Sequence, residues 1–343
     1  MRIATHLRGG HPEDWEGAVT FAREADRLGV DSIWCPEAWG FDAVTPLAFI
    51  AARTSRIRLG SGVMQVGART PALVAMTALT MRSLTGGRYL LGLGTSGPQV
   101  MEGWHGVRFD GPVQRTRETI EMVRKVCRGE RLEYRGRHYL VPLPGGRGRA
   151  LRTSAPPGGV PIYVAALGPR NLEMTGELAD GWLGTSFMPE TAEAFLVHLR
   201  AGAQRAGRAL SNVDLVVPAT LEFGEDVEEI AKRHARGYAF TFGAMGSPTQ
   251  NFYLDAFDRQ GYGDAARTVQ RLWLEGRRDE AADAVPVEIA LRTNLLGTDQ
   301  MVAERLAAYR AAGITTLQVA VAGDSVAGRV ASLARLVNLA SAR

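Results

Sequence analysis

Gly92-Leu93-Gly94-Thr95-Ser96-Gly97 packs three glycines and two hydroxyls directly behind an apolar run in this 343-residue chain. Glycine lets a backbone come close to a flat ring or a phosphate, and Thr95 and Ser96 add hydroxyl donors. The spacing is also that of the dinucleotide fingerprint G-x-G-x-x-G, which belongs to the first βα unit of its sheet. Here Pro98 follows the third glycine, three βα units come first, and Glu118, at the acidic offset, falls in a helix, so that reading is disfavoured. A second candidate is Gly168-Pro169-Arg170-Asn171, a turn entering a helix, where free backbone N–H groups and the Arg170 fork would suit an anion. An ordinary turn with a solvated arginine fits this segment equally well.

Three titratable residues stand where chemistry could use them. Glu37 ends an apolar strand, where it could exchange a proton or pair with a nearby arginine. His6, followed by Arg8, ends the first strand and could equally be a packed, hydrogen-bonded histidine. Glu102-Gly103-Trp104-His105-Gly106 gathers Glu, Trp and His in one loop that could wall a pocket, with His105 titrating near neutral pH. Lys125 and Lys232 are the only lysines and neither lies in a Gly-rich loop, which argues against Schiff-base and P-loop chemistry. Cys35 and Cys127 are too few for a disulfide scaffold and not spaced as a zinc knuckle, so inert core thiols and no metal are expected. The net charge of +4 is scattered, with no basic stripe to suggest nucleic acid. No apolar run is long enough for a membrane span and no signal core is visible, so a cytoplasmic protein is expected.

The elements that must position these residues alternate between strand and helix. Strands are expected at Arg2–Leu7, Ser32–Glu37, Ile57–Val63, Arg88–Gly94, Pro161–Ala166, Gly181–Ser186, Val213–Phe223 and Thr316–Val321, most followed by a segment of helical periodicity. Eight βα repeats without an interdomain linker predict a single TIM (β/α)8 barrel over residues 1–343. Two interruptions are expected to be insertions: a hairpin with a flexible Gly/Pro/Arg-rich loop over 131–160, and a mostly helical stretch over 225–295. Ligands of such barrels meet the carboxyl ends of the strands, here Ser61, Gly62, Val63 and Met64 after the third strand, Thr95 to Gly97 after the fourth and Gly168 to Asn171 after the fifth.

The segments WCPEAWGFD, LGSGVMQVGARTPA, GRYLLGLGTSGPQVMEGWHGVRFDGP, PIYVAALGPRNLEMTGELADGW and GTDQMVAERLAAYRAAGITTLQV, in this order, resemble the luciferase-like monooxygenase superfamily, and within it the oxidoreductases dependent on the deazaflavin coenzyme F420. The resemblance runs through most of the chain. It implies a TIM barrel with insertions, often a homodimer, and a non-prolyl cis peptide at Gly62-Val63 that backs the deazaflavin ring. Thr95, Ser96 and Gly97 would then contact the ring edge or tail, and Ala166, Leu167, Gly168 and Pro169, beside Arg170, the phosphate. Glucose-6-phosphate and secondary-alcohol members carry Asp-His where this chain has Glu37-Ala38, and the sugar-phosphate lysine is replaced in the segment GTSFM by Met188. A phosphosugar substrate is therefore not expected. The expected activity is hydride transfer between the deazaflavin C5 and a small or medium organic substrate, reducing an activated C=C or C=N bond, with Glu37 as proton donor or ring-orienting group and His6 and His105 as alternates. The alternatives are a two-component monooxygenase using reduced FMN and oxygen, and a non-catalytic flavin-binding barrel. Arg147, Arg149 and Arg152 are expected to fold over the site and meet the coenzyme's acidic tail.

Overall fold

Parallel strands β1 (Arg2–His6), β2 (Ser32–Cys35), β3 (Arg58–Ser61), β4 (Tyr89–Gly94), β5 (Ile162–Ala165), β6 (Gly181–Leu183), β7 (Asp214–Phe223) and β8 (Thr316–Val321) pair in chain order. Because β8 also pairs with β1, the sheet closes into the expected eight-stranded barrel, wrapped by helices. This computed structural model describes residues 1–7, 15–245 and 251–341; Arg8 and part of the 225–295 insertion lie outside them.

Side-chain alternation builds two cores. Leu215, Val217, Ala219 and Leu221 on β7, with Leu317, Val319 and Val321 on β8, pack outward into the main core. Ala4, Trp34, Leu90, Tyr163, Leu183 and Val216 fill the barrel interior instead. Trp34 and Tyr163 meet edge to face, with ring centroids 5.2 Å apart. Gly60 and Gly181 make room for them, since a Cβ at either position would overlap the facing ring. At the amino-terminal end, the Asp214 carboxylate accepts from Arg2 at 2.6 Å, Tyr163 at 2.9 Å and Thr316 at 2.9 Å, and Arg58 pairs with Asp31. That polar plug closes one mouth of the barrel and leaves the carboxyl end for ligands.

Helix Glu193–Arg205, between β6 and β7, has no counterpart among the expected elements. It packs against Pro169–Leu178 so closely that a Cβ at Gly202 would overlap the Glu173 carbonyl. Two short strands also lie inside expected loop or helical spans: Met64–Gln65 pairs with the end of β4, and Leu295–Gly297 with the end of β7. The described residues of the 225–295 stretch are otherwise mostly helical, from Val227–Gly243 to Val287–Thr293, around their own core of Ile230, Phe242, Phe257, Val269 and Ile289, which reaches Met188 of the barrel. Both cysteines are buried, and burial, followed by the Asp42 and Glu37 charges, pushes the Cys35 thiol up to about 12. No helix among the described residues is long and apolar enough to cross a membrane.

The 131–160 segment forms the expected hairpin, Tyr134–Arg135 against Leu140–Val141, turning at Gly136. The arginine loop behind it does not take the expected place over the site. Leu132 and Arg131 bind the carbonyls of Leu151 and Ala150, and Gly158 binds that of Cys127, so the loop is tied to the end of helix Pro112–Cys127 remote from the carboxyl mouth. Glu118, fully buried, holds the hairpin: its carboxylate accepts from the backbone N–H groups of Arg137 at 2.7 Å, His138 at 2.9 Å and Tyr139 at 3.1 Å. Burial alone would raise its pKa, but those bonds and that from Gln114 outweigh it and lower the pKa below the ordinary 4.5. A depressed carboxylate pKa contributes stability that is present above the ordinary value and lost as pH falls through the folded one. Glu118→Ala is expected to cost about 3 kcal/mol at neutral pH, and Glu118→Gln to flatten the acid limb of stability against pH, both readable by denaturant unfolding.

Candidate active site

At the open mouth, alternation decides which side chains look in. Since the odd-numbered β7 and β8 residues pack outward, Pro218, Thr220, Glu222, Gln318 and Ala320 point inward, and all are partly exposed. His6, half-exposed, does the same on β1, two residues above interior Ala4. Across the mouth, β3 to β5 contribute only Gly62, Val63, Gly94 and Ala165. One wall is therefore polar and the opposite wall is small and flat.

The flat wall begins where β3 leaves the ladder after Ser61. The Gly62–Val63 peptide is cis, as the resemblance implies, and the chain rejoins β4 at Met64. A Cβ on Gly94 would lie 2.5 Å from Val63 Cγ2, and one on Gly92 would overlap the Ser61 carbonyl. The G-x-G spacing thus serves close packing of strand on strand first. Ser61 and Met64 are fully buried, so their side chains support the wall without facing it: Ser61 Oγ donates to the Gly92 carbonyl at 3.0 Å and accepts from Gly92 N at 2.9 Å. Thr95, Ser96 and Gly97 are partly exposed beyond it, and Ser96 has φ 58°, a left-handed conformation uncommon outside glycine that concentrates at functional sites.

Glu37 is fully engaged. Its carboxylate takes both arms of Arg69, at 2.5 and 2.7 Å, and accepts from Ala43 N at 3.0 Å and Gln65 N at 3.2 Å. Four donors fill its acceptor positions, which fits a group that positions the β2 and β3 exits better than one that exchanges a proton with substrate. His105 joins the same network at the surface, its Nε2 lying 2.6 Å from Gln65 Oε1. Gln65 spends its amide N–H groups on the Ala38 and Glu37 carbonyls, so Oε1 is the acceptor and His105 Nε2 carries the hydrogen. Glu37 and His105 therefore meet through Gln65, whereas His6 stands on the polar wall. Gln65 and Arg69 escaped sequence reasoning because nothing local marks a partner 28 or 32 residues away.

The β5 exit is built differently. Ala166 is buried, its carbonyl accepting from Trp182 Nε1 at 2.9 Å, while Leu167 and Gly168 are partly exposed and Pro169 and Arg170 fully so. Gly168 starts helix Pro169–Leu178 without a side-chain cap; Pro169 has no N–H and Asn171 N bonds the Gly168 carbonyl at 3.0 Å, which leaves the Arg170 N–H open in the first turn. Asn171 is only 9% exposed; its Nδ2 donates to the Ala165 carbonyl at 3.3 Å, but Oδ1 has no partner among the described residues. Arg259 reaches the same turn from the helical insertion and donates to the Leu167 carbonyl at 2.7 Å, with its buried Nε also unpartnered. Its neighbour Gln260 donates to the Ser186 carbonyl at 2.7 Å and accepts from Met188 N at 3.2 Å. These two residues latch the insertion onto the β5 and β6 exits. The one sequence signal that could have found them is Gly261, with φ 88°, which breaks an otherwise helical run.

Comparison with known proteins finds similarity along most of the chain. The family described as luciferase-like monooxygenase matches residues 1–316. A Mycobacterium tuberculosis protein provisionally named a coenzyme F420-dependent oxidoreductase is 40% identical over 322 residues, 91% of this chain and 92% of its own. A 5,10-methylenetetrahydromethanopterin reductase of Archaeoglobus fulgidus is 26% identical over 307 residues, 89% of each chain. Among solved structures, the coenzyme F420-dependent tetrahydromethanopterin reductase of Methanopyrus kandleri superposes with a TM-score of 0.78 at 20% identity, covering 97% of this chain and 98% of its own.

Proposed function

The chain belongs to the luciferase-like monooxygenase family, and on that premise we propose that it is an oxidoreductase that holds coenzyme F420 against the β3–β5 wall and exchanges a hydride with a small or medium organic substrate. The direction proposed is reduction of an activated C=C or C=N bond. The relative that shares 40% of its residues over nine-tenths of both chains supports the deazaflavin over FMN. The observation that carries the binding mode is the β5 exit, where the uncapped helix start leaves the Arg170 N–H open and where Asn171 Oδ1 and Arg259 Nε have no partner among the described residues.

Those groups fit the coenzyme. A phosphodiester matches the helix start and the Arg259 guanidinium, and a polyol chain has hydroxyls to give to Asn171 Oδ1. The wall of Gly62, Val63, Gly94 and Ala165 offers a flat ring no side chain larger than valine. Ser61 and Met64 back it, Thr95 to Gly97 border it, and the Glu37–Arg69 pair with Gln65 holds the bulge in place. When bound, the coenzyme supplies the carbon that carries the hydride, while the protein binds, orients and excludes water. Purified protein titrated with reduced and oxidised F420 should show saturable binding by fluorescence. No binding at high micromolar concentration, or oxygen-dependent turnover with reduced FMN alone, would overturn the assignment.

A further inference from the structure

The polar wall carries one titratable pair with no task so far. Glu222 is the last inward-facing residue of β7, set there by the alternation that buries Ala219 and Leu221 on the other side. Its Oε2 lies 2.6 Å from His234 Nε2 on helix Val227–Gly243, and its Oε1 accepts from Arg233. Arg233 occupies the other carboxylate oxygen and a carboxylate accepts, so His234 carries its hydrogen on Nε2. Nδ1 is then the exchangeable position; it has no hydrogen bond among the described residues, and the side chain is 20% exposed. The helix face is fixed one turn further on, where Tyr238 Oη meets Thr293 Oγ1 at 2.5 Å and Asn294 Oδ1 accepts from Thr220 N at 2.7 Å. His234 is thus held to the β7 exit through Glu222.

In a closed ring of eight strands, β7 stands four strands from β3 and hence across the mouth from Gly62–Val63. A ring held on the flat wall would turn its free face toward β7. We propose that Glu222 and His234 form the proton-transferring pair of the reaction, with His234 Nδ1 giving the proton and Glu222 fixing the tautomer and orientation of the imidazole. This rests on the ring occupying the β3–β5 wall. A hydride with its two electrons reaches one carbon of the polarised double bond, the π pair moves to the other atom, and that atom takes the proton from the protonated imidazole. Solvent reprotonates His234, and Glu222 serves only as the acceptor that holds the imidazole. Pairs of this kind contribute about 10²–10⁴-fold to rate.

The test uses full-length protein with reduced F420 and a fixed panel of cyclic enones and cyclic imines, following coenzyme oxidation with whichever acceptor the wild type reduces fastest. His234→Ala is expected to lower turnover by about 100-fold with unchanged coenzyme affinity, and added imidazole to restore part of it. Glu222→Gln should lower turnover less, also with unchanged affinity. Turnover close to wild type in His234→Ala, loss without imidazole rescue, or loss accompanied by weakened coenzyme binding would each overturn the pairing while leaving the coenzyme assignment intact. His234→Gln, compared by thermal unfolding, keeps the test decisive if the alanine variant does not fold. A wild type that binds the coenzyme but reduces no panel member overturns both the reductive direction and this proposal, whereas absence of binding overturns the coenzyme assignment itself.

Discussion

Arg259→Met is expected to weaken F420 binding by about 10- to 100-fold, the range for losing a hydrogen-bonded contact to a charged group. It should leave untouched the affinity for the same deazaflavin ring carrying its ribityl chain but no phosphate. The reason lies in the guanidinium's surroundings: one nitrogen is spent on the Leu167 carbonyl, Nε is buried without a partner, and burial lowers its pKa, so nearby negative charge is worth more there than at the surface. Arg259→Lys should fall between, because lysine restores the charge but not the planar fork. Isothermal titration with both ligands checks this. Equal losses for the two would show that the substitution disturbs the β5 turn as a whole; no loss for either would remove Arg259 from the anion site.

Arg69→Leu is expected to destabilise the protein by about 3–5 kcal/mol, because it leaves the Glu37 carboxylate, whose side chain is 7% exposed, without its cation. The same bonds act on Arg69, whose guanidinium pKa the hydrogen bonds to Glu37 hold above its ordinary value. Glu37→Gln should cost less, since an amide oxygen can still accept from Ala43 or Gln65. Both variants should lose coenzyme affinity through the displaced bulge. Denaturant unfolding and ligand titration measure the two effects separately. If Glu37→Gln abolished turnover while stability and affinity held, Glu37 would be the proton donor that strand position alone suggested, and the positioning role would be wrong.

Glu37 shows where sequence reasoning stops. Its place at a strand end was legible, and so were its two readings, a proton-exchanging group or an arginine-paired carboxylate. Choosing between them needed Arg69, which arrives only when β2 and β3 lie side by side. The glycines behaved similarly: Gly92 and Gly94 were visible as a close-approach motif, but what approaches is the Ser61 carbonyl and the Val63 side chain, known only from the pairing. The arginine loop was misplaced because composition reports irregular structure without saying which end of a helix will hold it. Helix Glu193–Arg205 was missed within the long segment between two strands, where short apolar clusters and a late glycine left the periodicity weak.

The amino-acid order by itself therefore determined the eight strands, the barrel, the two interruptions and the glycine- and hydroxyl-bearing strand exits. These rest on period, caps and turn residues, which act over a few positions. Only the tertiary structure decided which wall of the mouth is flat and which polar, that Arg259 reaches back 92 residues to Leu167, and that Glu222 faces inward against His234. Those outcomes depend on ring closure and on where the helical insertion docks, for which the break at Gly261 is the one local trace in the chain.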